Sequence, residues 1–193
     1  NQQGLLSGKQ LAVDSQQSVD NRQGRLQAAD ALNLSSGGLN NQSGDIRSNS
    51  RLNIDTRQQS LNNQSGHIGS LGDADIQSGA INNETGQIQS NGGLSIHTHG
   101  QQLNNRDTVN GGLLAQGTLT LNAAMLDNHH GRILSSQSIA ADTLSLNNYS
   151  GEIQAAADVQ LNNQQALNNQ SGLLAAGRAL NIQTGLLDNS QTQ

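Results

Sequence analysis

One short phrase returns along the whole chain: LNNQSGDI at 39–46, LNNQSGHI at 61–68, INNETGQI at 81–88, LNNYSGEI at 146–153 and LNNQSGLL at 167–174. With its glycine as a marker, the phrase falls at Gly24, Gly44, Gly66, Gly86, Gly112, Gly131, Gly151 and Gly172. The gaps are 20, 22, 20, 26, 19, 20 and 21 residues. Repetition at this period means stacked units, each burying its apolar face only against its neighbours. A unit this short, without a continuous helical stripe, has no room for a crossover helix, which excludes the helical solenoids.

The apolar residues inside each unit keep strand spacing. Two residues after the marker stands Leu26, Ile46, Ile68, Ile88, Leu114, Ile133, Ile153 or Leu174. Further on comes an alternating pair: Leu32 and Leu34, Leu52 and Ile54, Leu94 and Ile96, Leu119 and Leu121, Val159 and Leu161, Leu180 and Ile182. A third apolar site opens the phrase, at Leu39, Leu61, Ile81, Leu103, Leu126, Leu146 and Leu167. A step of two within each segment is the period of a strand, whose alternate side chains share a face. The pattern predicts an all-β, right-handed parallel β-helix of about nine coils, with these residues in inward columns at the ~4.8 Å strand spacing. Residues 1–193 read as a single β-helical segment that starts and stops in mid-pattern, the expectation for a fragment of a longer protein.

Composition needs that regularity to make sense. Asn and Gln supply 51 of 193 positions and hydrophobic residues only 32%, a balance that without periodic apolar sites would indicate disorder. Tyr149 is the one aromatic, and Pro, Cys, Phe and Trp are absent. A net charge of -5 with no basic patch argues against a nucleic-acid partner. No apolar run approaches the length that membrane insertion needs. Without Cys there are no disulfides and no thiolate metal sites.

The Asn pairs of the phrase are expected to turn corners. In each, Leu or Ile points inward and Asn40–Asn41, Asn62–Asn63, Asn82–Asn83, Asn104–Asn105, Asn147–Asn148 or Asn168–Asn169 carries the chain round. The Asn amide offers both a donor and an acceptor to its copy one coil away. Asn is expected to supply left-handed or bridge backbone geometry, with the marker glycine relieving Cβ strain. The outward sites vary from coil to coil, as in Asp45 and Arg47, Gln87 and Gln89, or Glu152 and Gln154, and read as a solvated wall. The long unit between Gly86 and Gly112, carrying NNRDTVNGGLL, is either a loop bulging from a corner or a spacer at a register break.

Candidate chemistry is sparse. His97 and His99 alternate on a strand but lack a third metal ligand by spacing, and read as surface residues. His129 and His130 replace polar turn residues, and His67 occupies an outward slot. Asp73 and Asp75 flank Ala74 and should face outward together, with Glu84 the nearest further carboxylate, at a corner. A polysaccharide-cleaving pair needs more than that. No catalytic residue, cofactor or metal site is assigned.

The phrases LNNQSGDI, LNNQSGHI, INNETGQI and LNNYSGEI, followed by alternating apolar pairs, resemble the repeat region of filamentous haemagglutinin-type exoproteins. The resemblance extends over essentially the whole chain. It implies secretion by a Gram-negative bacterium through the two-partner route, with an outer-membrane transporter as partner. It also implies a long rod that projects a distal adhesive or growth-inhibiting toxin domain from the cell surface. The expectation is a structural stalk. The alternatives are a module binding glycans or host-surface receptors through its wall or the loop near 104–112, and, more remotely, a polysaccharide-cleaving enzyme. The exposed apolar columns at the ends of an isolated piece also predict some end-to-end self-association.

Overall fold

In the computed structural model, which describes residues 1–191, the repeat winds into a right-handed parallel β-solenoid of nine coils. A coil begins with a four-residue strand on a first face, such as Asp45–Ser48 or Gln87–Ser90. A second strand follows, such as Leu52–Asp55 or Leu94–His97, and then a two-residue third strand such as Leu61–Asn62 or Ile81–Asn82. Nine strands stack in chain order on the first face. From Leu119 onward the second and third strands fuse into bent strands, Leu119–Asp127, Ile139–Asn147, Val159–Asn168 and Leu180–Asp188. The extra alternation in SIAADTLSLNN belongs to one of these.

The core is a set of columns. Ile46, Ile68 and Ile88 lie in register on the first face, as do Leu52, Ala74 and Leu94, and Ile54, Ile76 and Ile96, on the second. Leu39, Leu61, Ile81 and Leu103 form the column of the third. Leu119, Leu121, Val159 and Leu161 are likewise buried. Each fully buried Leu or Ile contributes roughly 1.5–3 kcal/mol of transfer free energy, so a coil with four such sites is held mainly by its neighbours.

Two apolar expectations need correction. On the first face Leu113, not Leu114, pairs with Ile88 and is fully buried, while Leu114 is only partly covered. The cause is the second glycine of the insertion: Gly112 pairs with Gln87, one residue beyond the marker slot, so alternation restarts one residue early. Leu180, in register with the fully buried Val159, is 42% exposed, and Ile182 is only partly covered. Both stand in the last coil, packed on one side only among the described residues.

The corners carry polar columns inside the solenoid. Ser48, Ser70, Ser90 and Ser135 are buried at the first corner, and each hydroxyl donates to a backbone carbonyl. At the second, Thr56 donates to the Ser78 hydroxyl at 3.0 Å, Ser78 to the Gln59 carbonyl at 3.1 Å and Thr98 to the Gln101 carbonyl at 2.7 Å. Deeper in the stack Thr143 hydrogen-bonds Asn163, whose amide reaches Thr184. Small hydroxyls suit these positions because the bending backbone exposes carbonyls that β-pairing does not use.

Candidate functional site

The third corner is where the repeated phrase acts. The second Asn of each pair is buried, and its Nδ2 donates to the Oδ1 of the equivalent Asn in the next coil. The ladder runs through Asn1, Asn21, Asn41, Asn63, Asn83, Asn105, Asn128, Asn148, Asn169 and Asn189, with donor–acceptor distances of 2.6–2.8 Å. All nine bonds point the same way along the axis. The first Asn plays a smaller part. Asn40, Asn62, Asn82, Asn104, Asn147 and Asn168 are partly exposed, and each Oδ1 accepts the backbone N–H two residues on, at 3.0–3.2 Å. An acceptor is all that turn needs, and Asp20, Asp127 and Asp188 stand at the same slot with the same bond. The buried slot needs a donor and an acceptor together, and Asn occupies it in every coil.

Left-handed geometry falls elsewhere than expected. Neither Asn has a positive φ; the residue before the marker glycine does, as in Gln23, Ser43, Ser65, Thr85, Ser150 and Ser171, with φ between 50° and 56°. The marker glycines, Gly112 excepted, have no positive φ and are required by crowding. A Cβ at Gly44, Gly66 or Gly86 would lie 2.3 Å from the carbonyl oxygen of the ladder Asn one coil earlier, and Gly24, Gly131, Gly151 and Gly172 are equally tight. Gly112 is different: its φ is +102° and a Cβ there would meet the Arg132 carbonyl at 2.2 Å.

The long unit is a bulge and not a register break. The ladder crosses it through Asn83, Asn105 and Asn128 at 2.8 and 2.7 Å. Thr108 closes the loop: its hydroxyl donates to the Asn105 carbonyl at 3.2 Å and accepts the Arg132 N–H at 3.0 Å, while Val109 projects into solvent. Beside this bulge the structure brings together side chains that sequence spacing left apart. Asp107 and His130 occupy the left-handed slot of successive corners, with φ of 55° and 50°, and His130 Nδ1 lies 3.3 Å from Asp107 Oδ1. His129 stacks on His130 with ring centroids 4.0 Å apart, and the Tyr149 ring follows 5.2 Å beyond His129. Arg106 reaches His129 Nδ1 at 3.3 Å and Asp127 at 3.8 Å.

The other titratable candidates are dispersed. His97 and His99 lie with ring centroids 4.2 Å apart, and His97 Nδ1 is 3.2 Å from Gln77 Oε1. His67 sits 3.0 Å from Asp45 in the register-matched slot; burial pushes its imidazole below the usual histidine range, outweighing the pull of that carboxylate. Asp73 accepts the Gly93 N–H at 2.8 Å and Asp75 the Gln77 amide at 3.1 Å, while Glu84 lies on the Asn corner, on another side of the coil. This arrangement gives no carboxylate pair flanking a cleft.

Where the fused strands bend, the wall is concave. A groove of about 580 Å³ is lined by Asn122, Asp142, Asn162 and Gln183, in register over four coils, with Leu144 on its border. Asn162 donates to Asp142 at 2.7 Å.

Comparison with protein families finds the haemagglutinin repeat at residues 1–60, 49–106 and 102–193, which together span the chain. The chain belongs to the haemagglutinin-repeat family. No curated protein and no solved structure matches it. Family membership together with an absence of clustered catalytic carboxylates among the described residues accords with a non-catalytic structural role. No helix among the described residues is long and apolar enough to cross a membrane.

Sequence reading placed the haemagglutinin-repeat corners but missed two things. Asp107 was not connected with His129 and His130, although counting from each ladder Asn puts Asp107 and His130 at the same slot. The groove was missed because it arises from strand fusion, which spacing of apolar residues shows only as a lost turn.

Proposed function

We propose that this haemagglutinin-repeat segment is a stalk: a rod whose stacked coils hold a distal adhesive or toxin domain away from the surface of a Gram-negative cell. The observation that carries this reading is continuity. One hydrogen-bonded Asn ladder passes through all the coils and four apolar columns pass without a break through the inner ones, the bulge included. Nine coils at the ~4.8 Å strand spacing give about 40 Å of reach, and further coils add length at a fixed increment. In this reading the segment is part of a longer exoprotein exported through an outer-membrane transporter, each coil folding on the one before it as it emerges.

The test is removal of residues 63–104, two coils whose loss joins the ladder from Asn41 to Asn105. Small-angle scattering should show a rod shorter by roughly 10 Å. In cells displaying the parent exoprotein, attachment should survive in kind and change only in reach. Loss of folding or of all attachment is the result that counts against a stalk.

A second reading has its own observation. Asn122, Asp142, Asn162 and Gln183 make a matched polar row in a concave wall, which is what a binding module for an extended polar ligand such as a glycan requires. Asp142→Lys with Leu144→Glu alters that row without touching the core. If attachment to glycan-bearing surfaces disappears with this pair while the rod stays folded, the wall binds; unchanged attachment leaves the stalk alone.

A further inference from the structure

We propose that Asp107, His129 and His130 form a binding site for a divalent transition-metal ion of the zinc class, joining two successive coils beside the bulge. The three side chains each offer one ligand atom, and these atoms all lie within 4.8 Å of one another. Two imidazoles and a carboxylate suit borderline ions such as zinc, copper or nickel, whereas calcium and magnesium take oxygen donors. Three protein ligands at the surface leave a further position for water.

Backbone hydrogen bonds hold the ligands in place. Asp107 N–H donates to the His129 carbonyl at 3.0 Å, and His130 N–H to the Tyr149 carbonyl at 3.0 Å, so the two corners are locked in register. The left-handed turn at His130 swings its ring over that of His129, and each ring brings a nitrogen within 4.8 Å of a carboxylate oxygen of Asp107 in the preceding corner. Side-chain contacts that an ion must displace are weak: His130 to Asp107 and Arg106 to His129 are both 3.3 Å, beyond the usual range of a good hydrogen bond. Other corners hold Gln42 with Ser43, Gln64 with Ser65, Glu84 with Thr85, and Tyr149 with Ser150 at these two slots. Among the described residues the ligand set is therefore confined to one place on the rod. Among the described residues Arg106 is the cation in contact with the cluster, and its charge opposes the ion while Asp127 partly offsets it.

The experiment is calorimetric titration of the whole chain with zinc chloride, run beside three variants written in the repeat's own vocabulary. His129→Gln with His130→Ser restores the residues of neighbouring corners, Asp107→Asn keeps a residue tolerant of positive φ, and His97→Gln with His99→Asn is the control pair. The expected result is one zinc per chain, competed by nickel but not by excess calcium. Even loss of an outer partner costs roughly 10–100-fold in metal affinity, so the double His variant should weaken zinc at least about tenfold and Asp107→Asn measurably, with the control pair unchanged. A fourth variant, Arg106→Gln, should tighten binding. Imidazole NMR resonances of the unaltered protein give a readout that needs no variant: those of His129 and His130 should shift with zinc, and that of His67 should not. No binding by the unaltered chain, binding that survives the double His variant, or loss caused by the control pair overturns the site.

Discussion

Replacing Asn63 by Ala should be far more damaging than replacing its neighbour Asn62. Asn63 is fully buried; its Nδ2 donates to Asn83 Oδ1 at 2.7 Å and to the Gln87 carbonyl at 3.1 Å, and its Oδ1 accepts from Asn41 Nδ2 at 2.7 Å. The two short side-chain bonds are worth about 1 kcal/mol each net, and leaving Asn83 Oδ1 buried without its donor costs a further ~1–3 kcal/mol. Asn41 keeps weaker contacts to His67 and Gly44 at 3.2 and 3.3 Å, which limits the loss on that side. The sum is about 3–5 kcal/mol. Asn62 loses a bond to Gln64 N–H at 3.1 Å and a longer one to Asn40 at 3.3 Å at a partly exposed site, so its removal should cost no more than about 1 kcal/mol. Asp should be tolerated at 62, since Asp20, Asp127 and Asp188 stand at that slot, but not at 63, where it sets a carboxylate oxygen against Asn83 Oδ1. Guanidinium denaturation with the slope held constant measures both. Amide exchange around Asn83 and Gln87 shows whether the loss stays local to the coil, as nearest-neighbour stability requires. Equal costs at 62 and 63 would falsify the division of labour within the pair.

The two glycine types should part company: Gly66→Ala forces a methyl to 2.3 Å from the Asn41 carbonyl and should cost at least ~1–3 kcal/mol, while Gly100→Ala, with φ +75° and open space around it, should cost about 1 kcal/mol, both read from thermal melts. Leu113→Ala should cost about 2–5 kcal/mol and Leu114→Ala less than about 1 kcal/mol; the reverse order would restore Leu114 to the core. His67, depressed by burial, binds its proton less readily folded than unfolded, so its contribution is complete above the unfolded value near 6.5 and declines as pH falls through that range. Denaturation midpoints at about pH 8 and about pH 5 should differ less in His67→Gln, which borrows Gln87's residue at the matching slot, than in the unaltered chain; an identical difference would assign the pH effect elsewhere.

The repeat was legible because a coil's inward residues obey a period of two and its corners recur at one spacing; Ile46, Ile68 and Ile88 can be placed from text alone. What the text concealed were effects of three-dimensional stacking. The glycine after Ser43 looks like a conformational glycine, but φ is positive at Ser43 and the carbonyl of Asn21 is what excludes a Cβ at Gly44. Asn40 and Asn41 look alike in sequence, and only the direction in which the bend throws each amide separates an exposed turn acceptor from a buried ladder member. Asp107 and His130 are 23 residues apart, and the bulge at Thr108–Asn110 hides the fact that both follow a ladder Asn by two.

Parallel sheets carry little net dipole. The buried Asn column runs one way along the axis, nine hydrogen bonds in line with each N–H directed toward the following coil, while the first-Asn row beside it donates the other way, from Asn62 to Asn40, Asn104 to Asn82 and Asn168 to Asn147. Aligned amides polarise one another. The buried column thus has a front and a back of its own, and inside the rod each corner meets the one before it with an acceptor placed for a donor already oriented toward it. For this column, a head-to-tail junction of two rods would continue the donor-to-acceptor sense, whereas a two-fold one would set donor against donor or oxygen against oxygen.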